Sequence, residues 1–174
     1  MNGNTELFYL FNHNFQNPIL DLILPIFTNF GSFACLLTAC TICFLVAQYY
    51  KNEKYFRIAK LCLLSLLLSA AIVLCLKLAI AEERPFVTLS NVRQLVTPSE
   101  PNSFPSGHAS STFSVVTVLV HEFWKNKALV IILVIFALLI AFSRVYCGVH
   151  YPIDVAVGMI VGILSAVLIL KLKI

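Results

Sequence analysis

Long apolar runs separated by short polar stretches are the main pattern of this sequence. The clearest runs cover residues 31–49, 57–80, 127–143 and 152–170. A helix needs about 20 mostly apolar residues to cross the hydrocarbon core of a bilayer, and each run approaches that length. The pattern therefore predicts four membrane-spanning helices.

Two weaker segments complete the predicted fold. Hydroxyl side chains interrupt residues 107–123, which favours a fifth helix packed against protein rather than lipid. Residues 17–28 are too short to span alone and contain Asp21 and Pro25. We interpret residues 1–30 as an interfacial or partly inserted segment, with a tilted sixth span as the alternative. The predicted fold class is all-α: a single domain, residues 1–174, forming a polytopic transmembrane helix bundle with five or six membrane segments.

The composition supports a membrane protein. The chain is 60% hydrophobic and 11% charged, whereas soluble domains average about 25% charged residues. Five of the six cysteines lie inside apolar runs, and the Cys40-x-x-Cys43 pair has no second pair to complete a zinc site. The net charge of +4 is not clustered, so no nucleic-acid partner is predicted. Since no Lys or Arg precedes Lys51, a cleaved signal peptide is not expected.

The basic residues predict the orientation of the bundle. Eight of the twelve fall in the first and third connections between clear spans and at the end of the chain: Lys51, Lys54, Arg57, Lys60, Lys125, Lys127, Lys171 and Lys173. The positive-inside rule places these regions in the cytoplasm. The other four lie at the opposite, extracytoplasmic side: Lys77, Arg84, Arg93 and Arg144.

Three short stretches with chemically active side chains gather on that outer side. They are Lys77-x6-Arg84-Pro85, Pro105-Ser106-Gly107-His108 and Ser143-Arg144-x5-His150-x3-Asp154. Each residue alone has an ordinary structural explanation, such as a snorkelling lysine or a charge at a helix end. Three cations brought together would repel one another unless an anion lay between them. A phosphate group, with a charge of about −1.5 to −2, suits that position.

The neighbouring residues agree with a phosphate site. Pro105-Ser106-Gly107 precedes a helix whose first backbone N–H groups favour an anion, and Gly107 lets the backbone approach a ligand closely. Asp154 follows His150 by four residues, so on a helical turn its carboxylate can reach the imidazole. Such a contact fixes the tautomer and leaves the other ring nitrogen available for attack. No cluster with metal-ligand spacing is visible, so neither a metal nor another cofactor is expected.

The three stretches resemble the signature motifs of the type 2 phosphatidic acid phosphatase family: Lys-x6-Arg-Pro, Pro-Ser-Gly-His and Ser-Arg-x5-His-x3-Asp. Every specified position matches, in order, within residues 77–154. The resemblance implies a membrane lipid phosphatase in which His150 is the nucleophile and forms a phosphohistidine, Asp154 orients it, and His108 is the general acid and base. It also implies a set of phosphate-binding residues: Lys77, Arg84, Ser106, Gly107 and Arg144.

Several substrates remain open at this level. A short chain with an outward-facing site resembles the family members that dephosphorylate undecaprenyl diphosphate in the cell membrane, and that polyprenyl substrate is favoured. Phosphatidylglycerol phosphate is the second choice, followed by phosphatidic acid and a lipid A phosphate. Two other classes are a non-enzymatic scaffold or transporter subunit and a vanadate haloperoxidase. The predicted partners are the phospholipid or polyprenyl phosphate substrate and the lipid bilayer, and the oligomeric state is left open.

Some residues outside the motifs also carry expectations. Ser106, Ser110 and Ser114 form a small-residue stripe that we expect to pack against Gly158-x3-Gly162, in preference to dimerisation through the glycines. The loop 86–104 is expected to cover the site and help select the head group. Further expectations concern single side chains: Arg93 and Glu100 as solvated loop charges, Glu82 and Glu83 as ion-pair partners of Arg84, and Tyr146, Cys147 and Tyr151 as residues that line or shape the entrance.

Overall fold

A computed structural model of the chain describes residues 3–172, and within that range it contains helices and loops but no strand. The prediction of an all-α fold is confirmed. The elements are α1 (Gly3–Tyr9) with a following π-helical turn (Leu10–Asn14), α2 (Pro18–Phe27) with a following 3₁₀ turn (Thr28–Gly31), α3 (Phe33–Tyr49), α4 (Glu53–Ile80), α5 (Pro85–Thr88), α6 (Gly107–Glu122), α7 (Lys127–Tyr146) and α8 (Pro152–Lys171).

Fewer helices can cross a membrane than the sequence pattern predicts. Within residues 3–172, three segments are long and apolar enough: α4 with α5, α7 and α8. The segment Pro18–Gly31 and α3 are bent by 53° and count together as at most a fourth span. The predicted five or six spans are therefore not confirmed. The helix α6 has 16 residues, a length of about 24 Å at 1.5 Å per residue, which is shorter than a bilayer core of about 30 Å.

The short helix α6 lies inside the bundle. Its hydroxyl side chains are buried, among them Ser110, Ser111, Thr112 and Ser114. Neighbouring helices contact it from several sides, and its most extensive contact is with α8. The expectation of a helix packed against protein is therefore confirmed. A buried hydroxyl can be satisfied within its own helix, as Ser114 Oγ is by donating to the Ser111 carbonyl at 2.8 Å.

Two glycines let α8 approach α6 very closely. A Cβ added at Gly158 would lie 2.5 Å from the backbone oxygen of Ser106, and one added at Gly162 would overlap the backbone oxygen of Ser110. The expected packing of the serine stripe against the glycine pair is confirmed. Since the colliding atoms are backbone atoms, α6 and α8 must shift apart to accept any larger residue.

Replacing Gly162 by alanine should therefore destabilise the bundle. Overpacking of this kind costs about 1–3 kcal/mol of unfolding free energy, which thermal unfolding of the detergent-solubilised protein measures as a lower melting temperature. The matched control is Gly3→Ala, because no atom lies within 4 Å of a Cβ added there. An unchanged melting temperature for Gly162→Ala would contradict the close packing of the two helices.

The three sequence motifs lie at one end of the bundle. The last turn of α4, the first turn of α6, the last turn of α7 and the first turn of α8 meet there, which brings Lys77, His108, Arg144 and Asp154 to the same end. The start of α4 and the end of α6 meet at the other end, where Arg57 forms an ion pair with Glu122 at 2.5 Å. The basic residues assigned to the cytoplasm thus lie at the end remote from the motifs, apart from Lys173, which is outside the described residues 3–172.

The N-terminal segment fixes the loop between α5 and α6. The side chain of the buried Asn12 donates to the Arg93 and Tyr146 carbonyls and accepts from the Arg93 backbone N–H. The Arg93 guanidinium pairs with Asp21 at 2.5 Å, and the Tyr146 hydroxyl donates to the same carboxylate. The interpretation of Arg93 as a solvated loop charge is wrong, because this arginine holds the loop against α2 and the end of α7.

Candidate active site

Lys77 is held at the end of α4 by the loop that precedes α6. Its side chain is buried, although an isolated buried ammonium is unfavourable. The Nζ atom donates to the Asn102 carbonyl at 2.6 Å and lies 3.4 Å from the Glu100 carboxylate. The Glu100 side chain is 60% exposed, so the expectation of a solvated loop charge holds, and the same carboxylate also pairs with Lys77.

Arg84 connects the same loop to the third motif. It precedes Pro85, the first residue of α5, and its side chain is buried. The Nε atom donates to the Glu100 carbonyl at 2.9 Å, and Nη1 donates to the Val149 carbonyl at 2.8 Å. Among residues 3–172, no ion pair joins Arg84 to Glu82 or Glu83, so that expectation was wrong. Backbone carbonyls satisfy this guanidinium and leave its charge uncancelled.

Arg144, like Arg84 and Lys77, is a buried cation of the site. It lies in the last turn of α7 and is 4% exposed. Its Nη1 donates to the hydroxyl of the buried Thr28 at 2.8 Å, and Ser143 Oγ donates to the same hydroxyl at 2.9 Å. The Nε–H of Arg144 is buried and has no hydrogen-bond partner among residues 3–172. A buried donor without an acceptor is costly, so this group is ready to bind an anion.

His150 and Asp154 form a buried pair between α7 and α8. The imidazole Nδ1 lies 3.3 Å from Asp154 Oδ2, which also accepts from the Tyr151 backbone N–H at 2.8 Å. On the other side of the ring, Nε2 lies 3.3 Å from Arg84 Nη1. A guanidinium only donates, so Nε2 must present a lone pair and the ring proton belongs on Nδ1. This is the tautomer that a nucleophilic histidine needs.

The charge of the site keeps His150 neutral. The residue lies in the connection between α7 and α8 and is 2% exposed. Burial lowers its pKa well below the ordinary value of 6.5, and the nearby charges of Arg144, Arg84 and Lys77 lower this pKa further. The three cations therefore all act on one imidazole, as expected if they surround a common anion site.

The second motif forms the N-terminus of α6 and contacts the third motif. Ser106 is the N-cap residue, and its backbone N–H donates to the Asp154 carbonyl at 2.9 Å. Gly107 faces open space, because the nearest atom to an added Cβ is Val73 Cγ1 at 3.9 Å. His108 is within electrostatic range of His150 and of the three cations. All eight residues proposed from the motifs thus converge at this end.

Three residues of the site were missed from the sequence. Ser103 is fully buried, and its hydroxyl donates to Asp154 Oδ2 at 2.5 Å and lies 3.4 Å from His150 Nδ1. Thr28 anchors Arg144, and Asn102 exchanges hydrogen bonds with Lys77. The sequence signal for Thr28 is only a hydroxyl at the end of an apolar run. The loop residues Asn102 and Ser103 show no sequence pattern that predicts a role in the site.

Tyr146, Cys147 and Tyr151 are all buried next to the third motif and are not presented to solvent. Tyr146 bonds Asp21 as described above, and the Tyr151 hydroxyl lies 2.5 Å from Thr88 Oγ1. The loop that contains Thr88 is therefore attached to the first turn of α8. Two of its residues, Glu100 and Asn102, also contact Lys77 or Arg84.

Comparison with known proteins places this geometry in a family. Residues 58–173 match the model of the PAP2 superfamily. An undecaprenyl-diphosphatase of Sulfolobus acidocaldarius is 30% identical over 166 residues, which cover 91% of this chain and 73% of that protein. The bacitracin transport permease protein BcrC of Bacillus licheniformis is 41% identical over 86 residues, or 49% of this chain and 41% of that protein.

Two solved structures share the complete fold. The crystal structure of Aquifex aeolicus LpxE superposes with a TM-score of 0.82 at 35% identity, covering 98% of this chain and 96% of that one. The transmembrane PAP2-type phosphatidylglycerolphosphate phosphatase of Bacillus subtilis gives a TM-score of 0.81 at 25% identity, covering 99% and 87%. Matches to several curated relatives span only about two fifths of their length. On the family model and the near-complete relative together, this chain is a multi-pass membrane protein that belongs to the PAP2 superfamily.

Proposed function

We propose that this protein is a membrane lipid phosphatase that removes a terminal phosphate through a phosphohistidine intermediate. One observation carries the proposal: the Nε2 lone pair of a buried, neutral histidine faces the Arg84 guanidinium at 3.3 Å, its Nδ1 faces a carboxylate, and Arg144 and Lys77 are near enough to lower its pKa further. A dianionic phosphoryl group would neutralise the cations and accept from the unpartnered Nε–H of Arg144.

In the first step, His150 Nε2 attacks phosphorus and the bond between phosphorus and the leaving oxygen breaks. Nδ1 keeps its proton, and Asp154 stabilises the positive charge that develops on the ring. Ser103 and the Tyr151 backbone N–H hold that carboxylate in place. A positioned carboxylate beside the histidine thus performs the orienting role familiar from other nucleophilic sites.

His108 supplies the proton that the leaving oxygen needs. Burial and the nearby cations lower the pKa of the unliganded imidazole to about 2, and the negative charge of the bound phosphoryl group offsets that effect. In the second step it removes a proton from water, whose oxygen attacks the phosphohistidine, and His150 leaves with phosphate as product. His108 is thereby returned to its protonated form, so protons balance over the two steps. The cations stabilise the equatorial oxygens in both transition states, a role that metal ions fill in kinases.

The favoured substrate is a polyprenyl diphosphate such as undecaprenyl diphosphate, which is converted to the monophosphate. Support comes from the relatives in Sulfolobus acidocaldarius and Bacillus subtilis, both named undecaprenyl-diphosphatases. Phosphatidylglycerol phosphate is the second candidate, because the phosphatidylglycerolphosphate phosphatase of Bacillus subtilis shares the fold with a TM-score of 0.81. A relative named lipid A 4′-phosphatase supports a third.

The orientation of the basic residues supports an extracytoplasmic site in the cell membrane. Lys51, Lys54, Arg57 and Lys125 belong to the end of the bundle opposite the motifs. If the positive-inside rule holds for this chain, the phosphate site opens on the outer side. A spent polyprenyl carrier would be available to the enzyme there.

Phosphate release by the purified full chain tests the function. The substrate panel contains undecaprenyl diphosphate, phosphatidylglycerol phosphate, phosphatidic acid and lipid A, with EDTA present because the side-chain cations should make a metal unnecessary. We expect the highest kcat/KM with the diphosphate. Absence of phosphate release from every lipid would contradict the proposal and favour a scaffold, whereas bromide oxidation with vanadate would favour a haloperoxidase.

The pH dependence should reflect the lowered pKa of His150. A group with a lowered pKa stays neutral to lower pH, so the acid limb of kcat/KM due to this nucleophile should lie below the ordinary histidine pKa of about 6.5. The profile is corrected for the substrate phosphate, whose second pKa is about 6. A nucleophile limb at or above pH 6.5 would contradict the electrostatic description of the site.

A further inference from the structure

A large apolar cavity lies in the half of the bundle remote from the phosphate site. Its volume is about 610 Å³, and side chains of α3, α4 and α6 line it, including Leu36, Cys40, Ala47, Ile58 and Leu119. Ligand pockets in proteins usually enclose about 300–1,000 Å³, so this one is large enough for part of a ligand. None of the residues of the proposed mechanism contributes to its lining.

A smaller cavity of mixed polar and apolar lining adjoins the apolar one. It measures about 220 Å³ and is lined by Gln48, Lys51, Glu53 and neighbouring residues. Ala47 and Asn52 line both cavities, so the two are contiguous. An apolar chamber joined to a partly polar one matches an amphipathic molecule, with a hydrocarbon chain in the first and a head group in the second.

Aromatic side chains place the junction at a membrane surface. Tyr49, Tyr50, Tyr55 and Trp124 are all more than half exposed and lie at this end of the bundle. Tyrosine and tryptophan concentrate where the hydrocarbon core meets the head groups. The apolar cavity therefore extends from the interface into the bilayer core, which is the direction that a lipid chain takes.

The charges at the junction favour an anionic head group. Lys54 Nζ lies 5.7 Å from the centre of the Tyr55 ring and 5.6 Å from that of Phe123, and both rings line the apolar cavity. Lys51 lines the smaller cavity, where Glu53 is the carboxylate present. Glu122 nearby is already paired with Arg57. Two lysines and one carboxylate give the junction of the two cavities a net positive charge.

We propose that these joined cavities bind one anionic phospholipid of the bilayer, with an acyl chain between α3, α4 and α6 and its phosphate near Lys51 and Lys54. From Lys54 to Lys77 the helix α4 rises about 35 Å at 1.5 Å per residue, which exceeds the bilayer core of about 30 Å. The bound lipid therefore belongs to the leaflet opposite the phosphate site. It is a resident ligand and not the substrate.

Lipid retention tests the proposal on the purified full chain. The detergent-solubilised protein is delipidated, incubated with dioleoyl phosphatidylglycerol or dioleoyl phosphatidylcholine, and examined by native mass spectrometry. We expect one phosphatidylglycerol per chain, retained roughly tenfold better than phosphatidylcholine because of the two lysines. Equal retention of the two lipids would overturn the proposal, since bulk boundary lipid would then explain the cavity.

Matched variants locate the bound lipid. Ala39→Phe places a ring in the apolar cavity and should abolish retention, whereas Ala34→Phe adds the same ring to an exposed position of α3 outside the lining and should leave it unchanged. The double variant Lys51→Gln with Lys54→Gln keeps the apolar lining and should remove the preference for phosphatidylglycerol. Unchanged retention in Ala39→Phe, or an unchanged preference in the double variant, would overturn the proposal. Phosphate release by the same preparations measures the activity of the phosphate site at the other end of the bundle, independently of lipid retention.

Discussion

Replacement of His150 by alanine is expected to abolish phosphate release and the phosphoenzyme together. A single general acid or base contributes about 10²–10⁴-fold to a rate, and loss of the nucleophile should reduce kcat by at least about 10⁴-fold because no other side chain takes its place. With substrate labelled in its terminal phosphate, acid-quenched wild-type protein should carry the label and His150→Ala should not.

The controls separate chemistry from folding. His150 is 2% exposed, so alanine leaves a cavity, and His150→Gln provides a second variant that keeps more of the side-chain volume. The matched control is His121→Ala, which removes an imidazole near the other end of α6 and should retain activity. Label that persists in a folded His150 variant would show that a different group attacks phosphorus.

Loss of the Arg144 guanidinium should have the second largest effect. Thr28 anchors its Nη1, and its Nε–H is buried without a partner among residues 3–172. The guanidinium is therefore held in place with its Nε–H available to bind a phosphoryl oxygen. Removing one preorganised donor from a site of developing charge costs about 10²–10³-fold in kcat. We expect Arg144→Met to lose at least this much in steady-state phosphate release.

A lysine at this position should recover only part of the rate. Arg144→Lys restores the charge, but an ammonium lacks the planar fork that binds two phosphoryl oxygens. Lys125→Met, which removes a cation at the opposite end of the bundle, is the matched control and should retain full activity. Equal rates for Arg144→Lys and the wild type would mean that charge alone, without directed hydrogen bonds, explains the clamp.

The roles of the loop residues Glu100 and Arg93 were harder to predict than those of the motif residues. Glu100 and Arg93 lie outside the three motifs and carry no periodic signal, so a solvated role was the reasonable expectation. In the folded chain Glu100 contributes to the environment of Lys77 and Arg84, and Arg93 pairs with Asp21. These contacts join residues that are 16 to 72 positions apart, and nothing in the local sequence encodes them.

The number of membrane-spanning helices also depends on both local sequence and tertiary packing. Hydropathy identifies α4, α7 and α8 as spans because a helix that crosses the bilayer must be apolar over most of its length. The helix α6 is surrounded by protein, so its length is set by its neighbours and it need not reach both surfaces. The bend between the α2 segment and α3 likewise depends on packing around Gly31, where an added Cβ would overlap Ile140.

By itself, the sequence determined the helical class of this protein, its membrane environment and the eight residues of the three motifs. Those features follow from composition and from spacing along one chain, which are local properties. Only the tertiary structure decided that Ser103 holds Asp154, that Thr28 anchors Arg144, and which nitrogen of His150 faces Arg84. These facts depend on side chains from distant helices meeting in a water-poor space, where each buried polar group needs a partner that only folding can supply.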